Sequence, residues 1–122
     1  MIVVIFEVET KASEQAQYLA LAAQLKEHLA HIDGFISIER FQSLAQPGKL
    51  LSLSFWRDEE AVKAWRNMEQ HRAAQAQGRA EIFENYRIRV ASVLRDYGMQ
   101  ERQQVPHDSQ QAHGGVHHQQ GH

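Results

Sequence analysis

Three histidines stand in the part of the chain rich enough in apolar residues to fold: His28, His31 and His71. Imidazole is the side chain that most readily gives up or takes a proton near neutral pH. His28 and His31 fall at the end of a helical pattern, where a partly positive ring suits the helix dipole. That is a structural role. His71 is different. It follows Trp65 by six residues, at the junction of two helical stretches. There it either packs at a helix start, in solvent or core, or faces a cavity between helices and sheet. Trp65 and Trp56 are the only tryptophans. Each suits a core anchor, and beside a cavity an indole adds a flat apolar wall with one N–H donor. Glu7 and Glu9 act as bases only if they face a pocket.

Other chemistries lack their residues. There is no phosphate-cradling glycine loop, no Gly-x-Ser-x-Gly elbow and no His-Glu-x-x-His helix. The absence of cysteine excludes a disulfide scaffold, a thiolate zinc site, an iron–sulfur cluster and a cysteine nucleophile. Thirteen Lys and Arg against fifteen Asp and Glu leave a net charge of −2, without the basic footprint of a nucleic-acid binder. No apolar run approaches a membrane span. The opening MIVVIFEVET lacks the basic n-region of a signal peptide, so the cytoplasm is the expected compartment.

The elements that must position these residues follow from periodicity. Residues 2–9 are rich in β-branched and aromatic side chains, and the first five are apolar on both parities, which predicts a strand covered on both faces at that point. A helix is expected over 14–31, capped by Ser13 and ended by Gly34, with Tyr18, Leu21, Leu25, Leu29 and Ile32 along one face. Strands follow at 35–42 and 49–56, joined by a turn at Gln46-Pro47-Gly48. In the first of these, Ile36 and Ile38 share a side. In the second, Leu51, Leu53 and Phe55 form the apolar face and Ser52 and Ser54 interrupt the other. Asp58 caps a further helix with the stripe Ala61, Val62, Trp65 and Met68. Residues 70–82 continue as a helix marked by His71, Ala74, Gly78 and Ile82, with Gly78 serving close packing. The last strand is expected at 85–94.

The order β-α-β-β-α-α-β predicts an α+β, ferredoxin-like fold with one four-stranded antiparallel sheet and helices on one face. The other face is too apolar to be wet, and a second copy of the chain is its simplest cover. The polar positions Glu39, Ser52, Ser54, Arg87 and Arg89 are assigned to that seam, with Glu39 and Arg89 as the ion pair. The folded domain is placed at 1–98. Residues 99–122 read as a Gln/His-rich, disordered tail: from Gln100 on there are seven Gln and five His, with only Val105 and Val116 as aliphatics above Ala.

The stretches FISIERFQS, LLSLSFWRDEEAVKAWRNMEQHRAAQAQGR and ENYRIRVASVLRDYG resemble the antibiotic biosynthesis monooxygenase domain of the dimeric α+β barrel superfamily, over about residues 1–97. The resemblance implies a homodimer whose two sheets pack into a barrel, with a pocket under the helices of each subunit. It implies a cofactor-independent monooxygenase that oxidises an aromatic phenol, quinol or polyketide-like small molecule with O₂, using no metal or flavin. Trp65 and His71 are the matching positions for the chemistry, and Phe6, Phe55, Phe83 and Met68 for the substrate lining. A heme-degrading branch of the superfamily uses a strand-one Asn, a helix Trp and an axial His ten positions beyond it. Trp65 matches, but the tenth position is Gln75 and the strand-one place falls near Glu7, so heme is disfavoured. The alternative is a non-catalytic dimeric small-molecule-binding or stress-response protein, in which Trp65, Met68 and Phe83 fill the pocket.

Overall fold

A computed structural model describes residues 1–109 of the 122-residue chain. The described chain divides between Ser92 and Val93 into two compact units. The first contains β1 (Ile2–Thr10), α1 (Gln15–Leu29), β2 (Phe35–Gln42), β3 (Lys49–Trp56), α2 (Glu59–Arg66), α3 (Glu69–Gln77), a π-helical turn (Gly78–Ile82) and β4 (Phe83–Ser92). This is the expected α+β, ferredoxin-like order. The second unit starts at Val93. In it the Asp96 N–H donates to Gln104 Oε1 at 2.7 Å, and the Arg102 guanidinium stands 5.7 Å from the centre of the Tyr97 ring. The Gln/His-rich segment lies partly outside the described residues, as do His113, His117, His118 and His122. Among the described residues no helix is long and apolar enough to cross a membrane.

The strands form one antiparallel sheet in the order β2-β3-β1-β4. Strand residues alternate between faces, and one parity faces the helices: Val4, Phe6 and Val8 from β1, and Leu50, Ser52, Ser54 and Trp56 from β3. The other face carries Val3 and Ile5 with Leu51, Leu53 and Phe55, all half-buried.

Three strand expectations change here. Ser52 and Ser54 lie under the helices, not at the open face, because the more apolar parity of β3 points away from the core. A β-bulge between Phe35 and Ser37 advances the register by one. It turns Phe35 inward, where its ring meets Trp56 edge-on at 5.2 Å, and leaves Ile36 exposed. Finally, Glu39 and Arg89 cannot pair within the chain: β3 and β1 separate their strands. Glu7 instead binds Arg89 at 2.7 Å and Lys49 at 3.1 Å, bridging the strands on either side of β1. Both cations hold its carboxyl below the ordinary range.

The helices start and end for identifiable reasons. Asp58 caps α2, its Oδ1 accepting the Ala61 N–H at 3.0 Å. Ser13 does not cap α1: Glu14 holds the N-cap position and offers no side-chain bond. Gly34 enters β2 at φ +95°, and a Cβ there would stand 2.7 Å from the Ala61 Cβ, so both backbone and space require glycine. His71, Ala74, Gly78 and Ile82 are all buried along α3 and the π-helical turn, as their spacing predicts.

Candidate functional site

Register places two rows of side chains across the helix-side face of the sheet. One reads Ile38, Ser54, Val4, Val90 and the next Arg40, Ser52, Phe6, Ile88, each from β2 to β4. These eight residues form the floor of a cavity of about 130 Å³. Tyr18, Leu21, Ala22 and Leu25 of α1 roof it, with Val62, Trp65 and Arg66 of α2, His71, Ala74 and Gln75 of α3, and Phe83 at the start of β4. Its volume is close to that of the engineered cavity, about 150 Å³, that accepts benzene. At β4 the roof is incomplete: Ile88 and Val90 are 46% and 50% exposed.

Four rings run in series through this layer. Phe35 meets Trp56, Trp56 stacks on Trp65 at 5.0 Å, and Trp65 meets His71 at 4.3 Å. Trp56 is fully buried and donates its N–H to Ser54 Oγ at 2.9 Å, so it is a core anchor. Trp65 stands at the boundary, one side on Trp56 and the other toward His71 and the cavity.

The cavity's polar atoms are few and unusual. Arg40 Nε, Trp65 Nε1 and His71 Nδ1 are buried without a hydrogen-bond partner among the described residues. Buried polar groups are nearly always paired, so three orphans around one cavity mark a surface that expects a polar ligand. Burial, followed by the positive charge of Arg72, pushes the His71 imidazole down to about 4. The ring is therefore neutral at physiological pH, and its protonated form is favoured only with an opposite charge beside it. Burial raises the Tyr18 hydroxyl, and the neighbouring Arg40 guanidinium opposes that shift.

Of the residues expected to form the site, Trp65, His71, Phe6 and Phe83 line the cavity together. Phe55 does not: it shares the open face with Val3, its partner across the sheet. Met68 sits at the start of α3, outside the cavity wall. Glu7 also faces away, and the strand-one residues that enter the cavity are Val4 and Phe6. Gln75 lines it. Sequence reasoning missed Arg40, Ser52, Ser54 and Tyr18 as polar lining. Arg40 had a signal, since it keeps the parity of Ile38 on β2.

A family model for antibiotic biosynthesis monooxygenases matches residues 1–77, more than half of the chain. The chain belongs to the antibiotic biosynthesis monooxygenase family. A jasmonate monooxygenase of the fungus Pyricularia oryzae is 46% identical over 93 residues, covering 76% of this chain but 43% of the fungal protein. The chain thus spans less than half the length of that relative. The uncharacterised protein YqjZ of Bacillus subtilis is 31% identical over 91 residues, 75% of this chain and 78% of its own. Among solved structures, Rv0793 of Mycobacterium tuberculosis superimposes with a TM-score of 0.72, covering 80% of this chain and 98% of that one at 18% identity. At that identity the likeness speaks for the family fold alone.

Proposed function

We propose that this member of the family is a cofactor-independent monooxygenase, acting with O₂ on a small molecule that carries an ionisable phenol, quinol or enol. The observation that carries the reading is the ring-sized cavity with His71 Nδ1 and Trp65 Nε1 unpartnered beside it. In this chemistry the substrate supplies the electrons. His71 takes the proton from the substrate's hydroxyl or adjacent CH₂, and the electron-rich anion reacts with O₂. Oxidation of a CH₂ to a carbonyl delivers four electrons, so one oxygen atom stays in the product and the other leaves as water. The Trp65 N–H faces the developing oxyanion, a charge-assisted contact worth most where water is excluded. The name of the fungal relative supports monooxygenation. The cavity suits one ring, with further rings extending past Ile88 and Val90.

A second copy of the chain completes this reading. The half-buried row Val3, Ile5, Leu51, Leu53 and Phe55 gives the open face an apolar centre, flanked by the charged Glu39, Glu7 and Arg89. We propose that two such faces pack together in a homodimer.

The test is oxidation of a reduced anthrone in air and under nitrogen. We expect product formation above the uncatalysed rate in air only, with His71→Ala reducing it to background. Wild-type rates equal to background in air favour the non-catalytic binding protein instead.

A further inference from the structure

Two guanidiniums, Arg40 and Arg66, line the cavity, and not one aspartate or glutamate does. The protein as a whole carries a charge of −2, so this local excess of positive charge runs against the composition. Arg66 is exposed and solvated. Arg40 is half-buried, its Nε is sealed from solvent without a partner, and no described carboxylate forms an ion pair with it. The Tyr18 hydroxyl accepts a hydrogen bond from this guanidinium but brings no counter-charge, and a guanidinium fork matches a carboxylate in two parallel hydrogen bonds.

The floor has a direction as well. Its β2–β3 end holds Arg40, Ser52 and Ser54 beside Ile38; its β1–β4 end holds Val4, Phe6, Ile88 and Val90 and no polar side chain. Ser54 Oγ already accepts the Trp56 N–H, which leaves its own O–H as a donor. Donors therefore gather at one end and hydrocarbon at the other. Three strand spacings, about 14 Å, separate them.

From this we infer that the cavity selects an amphiphilic monocarboxylate, its carboxylate held by Arg40 and its apolar body laid across β1 toward β4. The inference rests on the cavity being the ligand site proposed above and assigns a substrate class to it: an apolar acid, where the oxidation chemistry alone would accept a neutral ring. Fixing the carboxylate at β2 orients the body along the floor rows, so Arg40 sets which atom lies under the roof residues.

Calorimetric titration of the full-length protein under nitrogen tests it, with 4-phenylbutyrate against the neutral 4-phenylbutanamide. We expect the acid to bind at least tenfold more tightly. Arg40→Gln reduces that preference below threefold, Arg40→Lys keeps part of it, and Arg79→Gln, at an exposed residue outside the cavity wall, leaves it unchanged. In wild-type protein, affinity should also rise several-fold from phenylacetate to 4-phenylbutyrate as the body reaches β4. Equal binding of acid and amide, binding of neither, or a preference that survives Arg40→Gln overturns the assignment. The wild-type comparison decides the matter even if an Arg40 variant fails to fold. Because no oxygen is present, binding is read apart from oxidation, so a failed anthrone assay leaves this assignment standing and an absent acid preference leaves the anthrone result standing.

Discussion

Trp65 and His71 lie ring against ring, 4.3 Å between centres and tilted by 51°, and each holds a buried nitrogen with no partner among the described residues. The contact spans the junction of α2 and α3, so the geometry of that junction sets the geometry of both polar groups. A stack on Trp56 fixes the indole from behind. The pair is thus rigid but unsatisfied, as a site held ready for a ligand should be.

The depressed imidazole makes stability depend on pH with a definite sign. His71 titrates near 6.5 when unfolded and near 4 when folded, so between those values the unfolded chain binds more protons. Stability is full above pH 6.5 and falls as pH drops toward 4. His71 is 8% exposed, and we expect about 2 kcal/mol, below the full linkage value because some solvent screening remains. Urea unfolding at pH 7 and pH 4.5, for wild type and His71→Gln, isolates this part from the carboxylates that titrate in the same window. An equal loss in both proteins contradicts the assignment.

Gly78→Ala pits helix propensity against packing. Alanine gains up to about 1 kcal/mol in a helix interior. The added Cβ, however, would stand 2.5 Å from Phe83 Cζ and 2.7 Å from its Cε2. The ring is held on the other side by Phe6 and Tyr18, so it cannot swing clear cheaply. We expect net destabilisation of about 1–3 kcal/mol, relieved in Gly78→Ala/Phe83→Leu. Thermal unfolding of wild type and the two variants measures it.

Leu53→Glu addresses the open face. Leu53 is half-buried at the middle of β3, paired with Ile5 on one side and Glu39 on the other. A charge there costs little in an isolated subunit and a great deal inside a sheet-to-sheet interface. Sedimentation should show wild type at twice the chain mass and the variant as a folded single chain. A wild type that sediments as one chain removes the dimer from the proposal.

The parts legible in the sequence are those fixed by local pattern. Asp58 as a cap, the stripe of His71, Ala74, Gly78 and Ile82, and the bounds of β2 and β3 all follow from neighbours within a few residues. The two faces of the sheet were harder. On β3 the apolar parity, Leu51, Leu53 and Phe55, turns outward, while Ser52 and Ser54 turn in. Hydrophobicity cannot say which face meets the helices when both are nearly dry. The bulge beside Ile36 hid the directions of Phe35 and Ile36 instead, since one extra residue reverses the parity of the residues before it, while Arg40 keeps the parity of Ile38. Missing Arg40 made the site look more neutral than it is.

Trp65→Phe separates stability from chemistry. Phenylalanine keeps most of the stack on Trp56 and the contact with His71 but removes the unpartnered N–H. A buried donor without an acceptor costs about 1–3 kcal/mol in the empty protein, so the variant should be at least as stable as wild type. If the N–H faces a developing oxyanion, the same change should lower kcat by about 10²-fold with little effect on KM. His71→Asn should lower kcat by about 10²–10⁴-fold through loss of the proton acceptor. Stability rising while turnover falls is the behaviour of a group kept unsatisfied for its function. A core anchor behaves otherwise: Trp65→Phe would then lower the melting temperature and leave anthrone oxidation per folded molecule unchanged. Melting curves and steady-state rates on the same preparations distinguish the two.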